Sequence, residues 1–203
     1  MKLIQQIKTG YNQVALAYAQ DRTSLKSHHY LQQLQQLLKP QSQILDIGCG
    51  NGQPVAEFLL KAGHLVTGLD ISEVQIALAR KNCPRGHFLI KDMAELQKGE
   101  YSVDAVVCFY ALFHLPRSRH LEMLKIWQSF LTEGGLLLVT MGDKDFEGYH
   151  DFYGVKMWSS HFGPSKNIQL LSAAGFKILF ETIDTSGREK HQIILAQKQQ
   201  RMA

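Results

Sequence analysis

Short apolar runs alternate with amphipathic stretches through most of this 203-residue chain, and the alternation stops about forty residues before its end. Ile44–Ile47, Leu65–Leu69, His87–Lys91, Val103–Phe109 and Leu136–Met141 have strand length and composition. Helical spacing lies between several of them. Val55, Phe58, Leu59 and Ala62 follow Pro54 and precede Gly63, and Ser72 with Gln75 forms a capping box that opens a helix to about Asn82. Arg119–Leu131 carries apolar residues at 123, 124, 126, 127, 130 and 131 and is stopped by Gly134-Gly135. Strands joined by such helices form a parallel sheet with crossovers. A helix over Asn167–Ala174 then leads to two strands, Phe176–Ile183 and Gln192–Ala196, with about eight polar residues between them. That gap is too short for a helical crossover, so the last pair is antiparallel. A parallel sheet finished by an antiparallel hairpin narrows the fold more than any single motif does.

The length suits one domain, spanning residues 1–203. Residues 1–40 form one or two helices outside the sheet, with Tyr30, Leu31, Leu34, Leu37 and Leu38 on one face and glutamines on the solvated side. The longest apolar run, Ala105–Phe113, has nine residues, half of what a membrane span needs. No export signal is visible, and Cys49, Cys83 and Cys108 show neither a paired framework nor metal-ligand spacing. Reduced thiols in a cytoplasm and a metal-free site are the expectation. A net charge of +4, with Lys and Arg scattered, disfavours nucleic acid as the target.

Asp46-Ile47-Gly48-Cys49-Gly50-Asn51-Gly52 stands between the first strand and a helix, where a doubly wound sheet has its ligand crevice. A tight turn would use the same glycines. Gly52 is followed by Gln53-Pro54, so a phosphate-binding P-loop is excluded, and Gln53 stands where a dinucleotide fold has its third glycine. The acid two residues upstream of Gly48 repels a pyrophosphate and suits a ligand with ammonium or sulfonium charge. Asp70 ends the second strand and can accept two hydrogen bonds from a ribose diol, or else cap the next helix. Asp92 ends the third and can accept from an exocyclic amine.

Four segments in order, 44–52, 66–72, 91–93 and 104–117, resemble class I S-adenosylmethionine-dependent methyltransferases, and the resemblance covers about residues 40–200. It implies an α/β, doubly wound, Rossmann-like methyltransferase fold with a seven-stranded sheet in order 3-2-1-4-5-7-6, strand 7 antiparallel. It implies S-adenosylmethionine as cofactor, with S-adenosylhomocysteine as product, and a small-molecule acceptor. It places Asp46, Gly48, Cys49, Gly50 and Gly52 under the methionine and ribose, Asp70 with Ile71 at the ribose hydroxyls, Asp92 with Met93 beside adenine, and Phe109 near the methionyl end. Tyr11 and Tyr18 fall where such proteins fold an N-terminal helix over the cofactor, and core packing suits Tyr18 equally.

Methyl transfer from a sulfonium is an in-line displacement that positioning accelerates, with a base needed only if the acceptor loses a proton. His114, after the fourth strand, is the candidate base, with a core histidine as the alternative reading. Residues 142–164 form a long aromatic insertion read as a lid. Within it Met157–Phe162 is similar to a Met-Tyr-Trp-Ser-His-Phe block of small bacterial methyltransferases, though Trp158 stands one place early and Ser159 replaces the Trp. His161 is a second candidate for the pocket. The chain lacks the Pro-Pro-aromatic run of DNA adenine methylation and the Pro-Cys nucleophile of cytosine chemistry. The competing readings are a methyltransferase-like binding domain without turnover and an NAD-dependent oxidoreductase. A monomer or homodimer is expected.

Overall fold

The computed structural model describes residues 2–22, 28–186 and 190–199; the side chains at 2 and 18–22, Tyr18 among them, lie outside what is described. In chain order the elements are α1 (Lys2–Arg22), α2 (His28–Leu37), β1 (Gln43–Ile47), α3 (Val55–Lys61), β2 (Leu65–Asp70), α4 (Glu73–Asn82), β3 (His87–Ile90), β4 (Val103–Cys108), α5 (His120–Phe130), β5 (Leu131–Gly142), β6 (Phe146–Phe152), β7 (Val155–His161), α6 (Pro164–Ala173), β8 (Phe176–Asp184) and β9 (His191–Lys198). Seven strands pair in the order β3-β2-β1-β4-β5-β9-β8. β1 to β5 are mutually parallel, and β9 runs antiparallel to both β5 and β8. With the β6–β7 hairpin set aside, this is the order 3-2-1-4-5-7-6 that the motifs imply.

Helices cover both faces, which is why the inner strands read as continuous apolar runs. On one face Leu45, Ile47, Val106, Cys108, Leu137 and Val139 pack with Met123, Trp127 and Phe130 of α5 and Leu171 of α6. On the other, Ile44, Ala105, Val107, Leu136 and Leu138 pack with Leu31 and Leu34 of α2, Leu59 of α3 and Ile76 of α4. Successive residues of each strand thus feed opposite cores.

The capping box opens α4 as expected: Ser72 Oγ accepts from the Gln75 amide. α6 begins at Pro164, three residues before the expected Asn167, because proline suits the first helical turn. α5 stops at Phe130, and β5 begins at once, carrying Gly134 at φ 71° through a register shift opposite Val103 and Ala105. The insertion at 142–164 contains a regular antiparallel hairpin, Phe146 opposite His161 through Phe152 opposite Val155. Its turn is Tyr153-Gly154, both with positive φ (55° and 78°), the conformation that matches strand twist. α1 packs against β7 and α4, over the carboxyl ends of the parallel strands.

Candidate active site

Three glycines shape the turn after β1. Gly48, Gly50 and Gly52 have φ of 73°, 54° and 81°, a region costly for any side chain. A Cβ on Gly48 would lie 2.3 Å from the Ala111 Cβ, so the loop can pass under the post-β4 turn only as glycine. The Gly48 and Cys49 amides both donate to the Leu69 carbonyl, at 2.8 and 2.9 Å, pinning the loop to β2.

This loop floors a cleft of about 810 Å³, mouth included. Asp70, at the end of β2, accepts from the Gly50 amide (2.9 Å) and the Ser72 amide (2.8 Å) through different carboxylate oxygens. Burial pushes its pKa up, opposed by the amides of Ser72, Gly50 and Ile71. Asp92 accepts from the Ala94 amide at 2.8 Å and opens the short turn Met93–Glu95. Gln75 borders the same space, and its buried Nε2 has no hydrogen-bond partner among the described residues. Lys91 borders it too, ion-paired with Glu100.

α1 forms the roof with Ile4, Ile7 and Tyr11, one face of a helix by their spacing. It is fastened to the start of α4. Ser72 Oγ donates to Asn12 Oδ1 (2.5 Å), Asn12 Nδ2 donates to Glu73 Oε1 (2.9 Å), and Lys8 pairs with Glu73 at 2.8 Å. Gly10 lets β7 approach closely, since a Cβ there would lie 2.4 Å from Met157 Sδ. The Tyr11 hydroxyl is 2.7 Å from His114 Nε2, and His114 Nδ1 is 3.0 Å from the Trp158 carbonyl. Burial lowers the His114 pKa to about 4, so the ring is neutral at pH 7. The β6–β7 hairpin is tied to the turn after β4 by this bond, by Arg117 N–H to Ser160 Oγ (2.9 Å) and by the Arg117–Glu147 pair.

Of the residues singled out from sequence, Tyr11, Gly48, Cys49, Gly50, Asp70, Ile71, Asp92, Met93, Phe109 and His114 line the cleft. Asp46, Gly52 and His161 do not. Asp46 is buried in β1, and Gly52 faces Cys83 and Ala79. His161 stands over Gly142, in room that a Cβ would fill, with its Nδ1 donating to the Lys144 carbonyl at 2.7 Å and its ring stacked on Phe146. The pocket role expected of it is corrected on that ground. Cys49 is inert by environment: burial and the charges of Asp46 and Asp70 hold its thiol well above the usual range. Residues not singled out include Gln75 and Tyr110, the latter held at φ 57° at the mouth of β4. Among the described residues no three metal-binding side chains are gathered.

The residues present fit an adenosyl ligand. Asp70 offers an acceptor-only carboxylate for a diol, Gln75 an unused donor, and Leu69, Ile71 and Met93 apolar walls. Glycine loop, strand-end acids and antiparallel last strand together are the architecture of class I S-adenosylmethionine-dependent methyltransferases, and the resemblance seen in the motifs is borne out. Residues 44–135 match a family described as a methyltransferase domain. The chain is 29% identical over 142 residues to a ubiquinone biosynthesis O-methyltransferase of Coxiella burnetii, covering 68% of this chain and 53% of that protein. It thus spans about half the length of the curated relatives it matches. Its fold is that of a DhpI–SAH complex (TM-score 0.75, 19% identity, 98% of both chains). It is also that of the 1,6-didemethyltoxoflavin-N1-methyltransferase of Burkholderia thailandensis (TM-score 0.72, 20% identity, 95% and 85% covered).

Proposed function

We propose that this protein transfers a methyl group from S-adenosylmethionine to a small-molecule acceptor by in-line displacement. The observation that carries this reading is the convergence of the glycine loop, Asp70, Asp92 and the unpartnered Gln75 amide on one roofed cleft. The cofactor, when bound, supplies an electrophilic methyl carbon on a positively charged sulfur. Asp70 and Asp92 orient the nucleoside, the loop leaves room for the amino-acid portion, and α1 excludes water. The acceptor enters beside Phe109, Tyr110 and His114, at the end of β4. Tyr110 is held there in left-handed backbone, the kind of strain that persists where structure and function over-determine a residue. The acceptor's small-molecule character is supported by a mostly apolar cleft roofed by α1. Three buried cysteines, none in a disulfide, suit a reducing cytoplasm.

Thermal unfolding with S-adenosylhomocysteine, S-adenosylmethionine and NADH in parallel tests the reading. At a hundredfold excess over Kd a ligand adds about 2.7 kcal/mol, or roughly 5–10 °C for a domain of this size. A rise is expected with both adenosyl ligands and none with NADH, and Asp70→Asn should abolish it. A rise with NADH alone would move the protein to the oxidoreductases. Adenosyl binding without methyl transfer to any of a broad acceptor panel would favour a binding domain.

A further inference from the structure

The β6–β7 hairpin sorts its side chains by charge. Alternation along each strand, with Gly148 opposite Ser159 and Asp151 opposite Lys156, puts Glu147, Asp151 and Lys156 on one face. The other face carries Phe146, Gly148, His150 and Phe152 along β6, and neither strand adds an Asp, Glu, Lys or Arg to it. This uncharged face is turned toward the elements that border the cleft. Met157 lies against Gly10 of α1, His161 is edge-on to Phe113, and Phe113 is edge-on to His114 of the cleft wall. His150 is near enough to His114 to add to the cost of charging it.

Gly148 stands in the middle of β6 with no backbone reason to be glycine. Its φ is outside the left-handed region, and a Cβ there would meet only the Phe146 ring, at 3.5 and 4.0 Å. Glycine weakens a strand interior and marks a place where another group approaches closely. Here the approaching groups are rings. Phe146 and His150 are four residues apart, about 13 Å along an extended strand, yet their ring centroids are 6.3 Å apart at 75°. Both side chains therefore lean inward across the glycine. His161, packed over Gly142, backs Phe146 by stacking at 5.6 Å and 29°, and Ser159 Oγ holds His150 Nε2 at 2.8 Å. Phe152 meets His150 edge-on at 6.4 Å. The result is a row of four half-buried rings oriented within the hairpin. None of them lines the cleft itself, so the row adds a surface beside it.

Resting on the methyl-transfer reading, we propose that this row seats the acceptor, and that the acceptor carries a flat aromatic ring system. The ring system lies against Phe146 and His150 over Gly148, and the atom to be methylated extends past Phe113 and His114 into the cleft. A flat π face gains from contact with fixed rings beyond the area that it buries. A saturated ring of the same size has no such face. An ionised group finds no opposite charge on this side of the hairpin to offset its desolvation.

Ligand-observed NMR on the full chain saturated with S-adenosylhomocysteine tests this with 2-naphthol and trans-2-decalol, which share a carbon skeleton and a hydroxyl and differ in aromaticity. 2-Naphthol should bind roughly tenfold more tightly, the worth of two ring pairs. Phe146→Leu keeps the apolar bulk and should erase the preference. Gly148→Val suits an extended strand, so Tm should not fall, yet 2-naphthol should weaken about as much because the new side chain pushes Phe146 aside. Both variants should leave the affinity for S-adenosylhomocysteine unchanged, since neither residue lines the cleft. Decalol binding as tightly as naphthol, a preference that survives Phe146→Leu, or no binding of 2-naphthol at millimolar concentration would each overturn the proposal. So would a fall in S-adenosylhomocysteine affinity in Phe146→Leu at unchanged Tm, which would tie the rings to the cofactor. If S-adenosylhomocysteine fails to bind the wild type, the methyl-transfer reading falls, and the acceptor assignment with it. The same two probes on the ligand-free protein then still show whether the rings of β6 select a flat ligand.

Discussion

Gly48 and Gly63 both have φ in the left-handed region, 73° and 90°, yet they answer to different needs. A Cβ on Gly63 would meet nothing within 4 Å, whereas one on Gly48 would collide with Ala111. Gly63→Ala should therefore cost only the left-handed backbone penalty, about 1–2 kcal/mol, and keep the adenosyl-induced rise in Tm. Gly48→Ala should cost about 3 kcal/mol, penalty plus overpacking, and lose that rise because the loop or the post-β4 turn must move. Urea denaturation and thermal shift on both variants test the contrast, and equal ligand responses would refute it. The glycines were legible in the sequence because their spacing alone demands a turn. Gln75 was legible only as a capping residue: its free amide reaches the cleft because of how α4 docks, which no local pattern encodes. His161 misled for the same reason. An aromatic-rich insertion with a histidine reads as a pocket wall, and only the missing Cβ of Gly142, on a different strand, shows that the ring is packed away.

At the scale of elements, β1 to β4 were legible to within a residue or two, since burial on both faces leaves uninterrupted apolar runs, whereas β5 begins at Leu131, five residues before the expected Leu136, because Thr132–Gly135 interrupt its apolar run. The β6–β7 hairpin was not legible. Its outer strand alternates Phe146, Gly148, His150 and Phe152 with the exposed Glu147, Tyr149 and Asp151, a period of two that the aromatics on both faces blur. Tyr153-Gly154 is also an unusual pair for a two-residue turn. α1 depends on its partners more than on itself, because its fastenings to α4 run through one side chain, Asn12, and one ion pair, Lys8–Glu73. Asn12→Ala should leave global Tm within about 2 °C of wild type while amide exchange in α1 quickens about tenfold, the mark of local opening. S-adenosylhomocysteine affinity should fall by a few-fold as the roof loosens. Unchanged exchange would mean that the Lys8–Glu73 pair, the Tyr11–His114 bond and the contacts with the β6–β7 hairpin hold the helix without Asn12.

Across the whole molecule, the two cores on either side of the sheet are apolar and indifferent to pH, so acid sensitivity concentrates in the few buried titrating groups. His114 and His120 both have pKa values lowered by burial to about 4. Both brace the turn after β4, His114 through the Trp158 carbonyl and His120 Nε2 through the Leu115 carbonyl at 3.2 Å. In the unfolded chain these rings take up protons near pH 6.5, and in the folded protein only near 4. Stability from this source is therefore complete above about pH 6.5 and is lost as pH falls toward 4, by on the order of 3 kcal/mol for each ring. His64, also lowered by burial, acts in the same direction. Asp70 acts in the opposite one: its raised pKa makes the folded protein bind a proton before the unfolded chain does, which restores part of the loss at the acid end. The net fall is a large share of the 5–15 kcal/mol typical of a domain. Urea midpoints should drop steeply between pH 7 and 4.5, and His120→Leu should remove about half of that dependence while leaving stability at pH 7 within about 1–2 kcal/mol. The first structure to loosen should be the turn that carries His114, so adenosyl and acceptor binding should weaken at a higher pH than the one at which the sheet unfolds. A midpoint independent of pH over this range would mean that both rings titrate as they do in water and that the cleft wall is open to solvent.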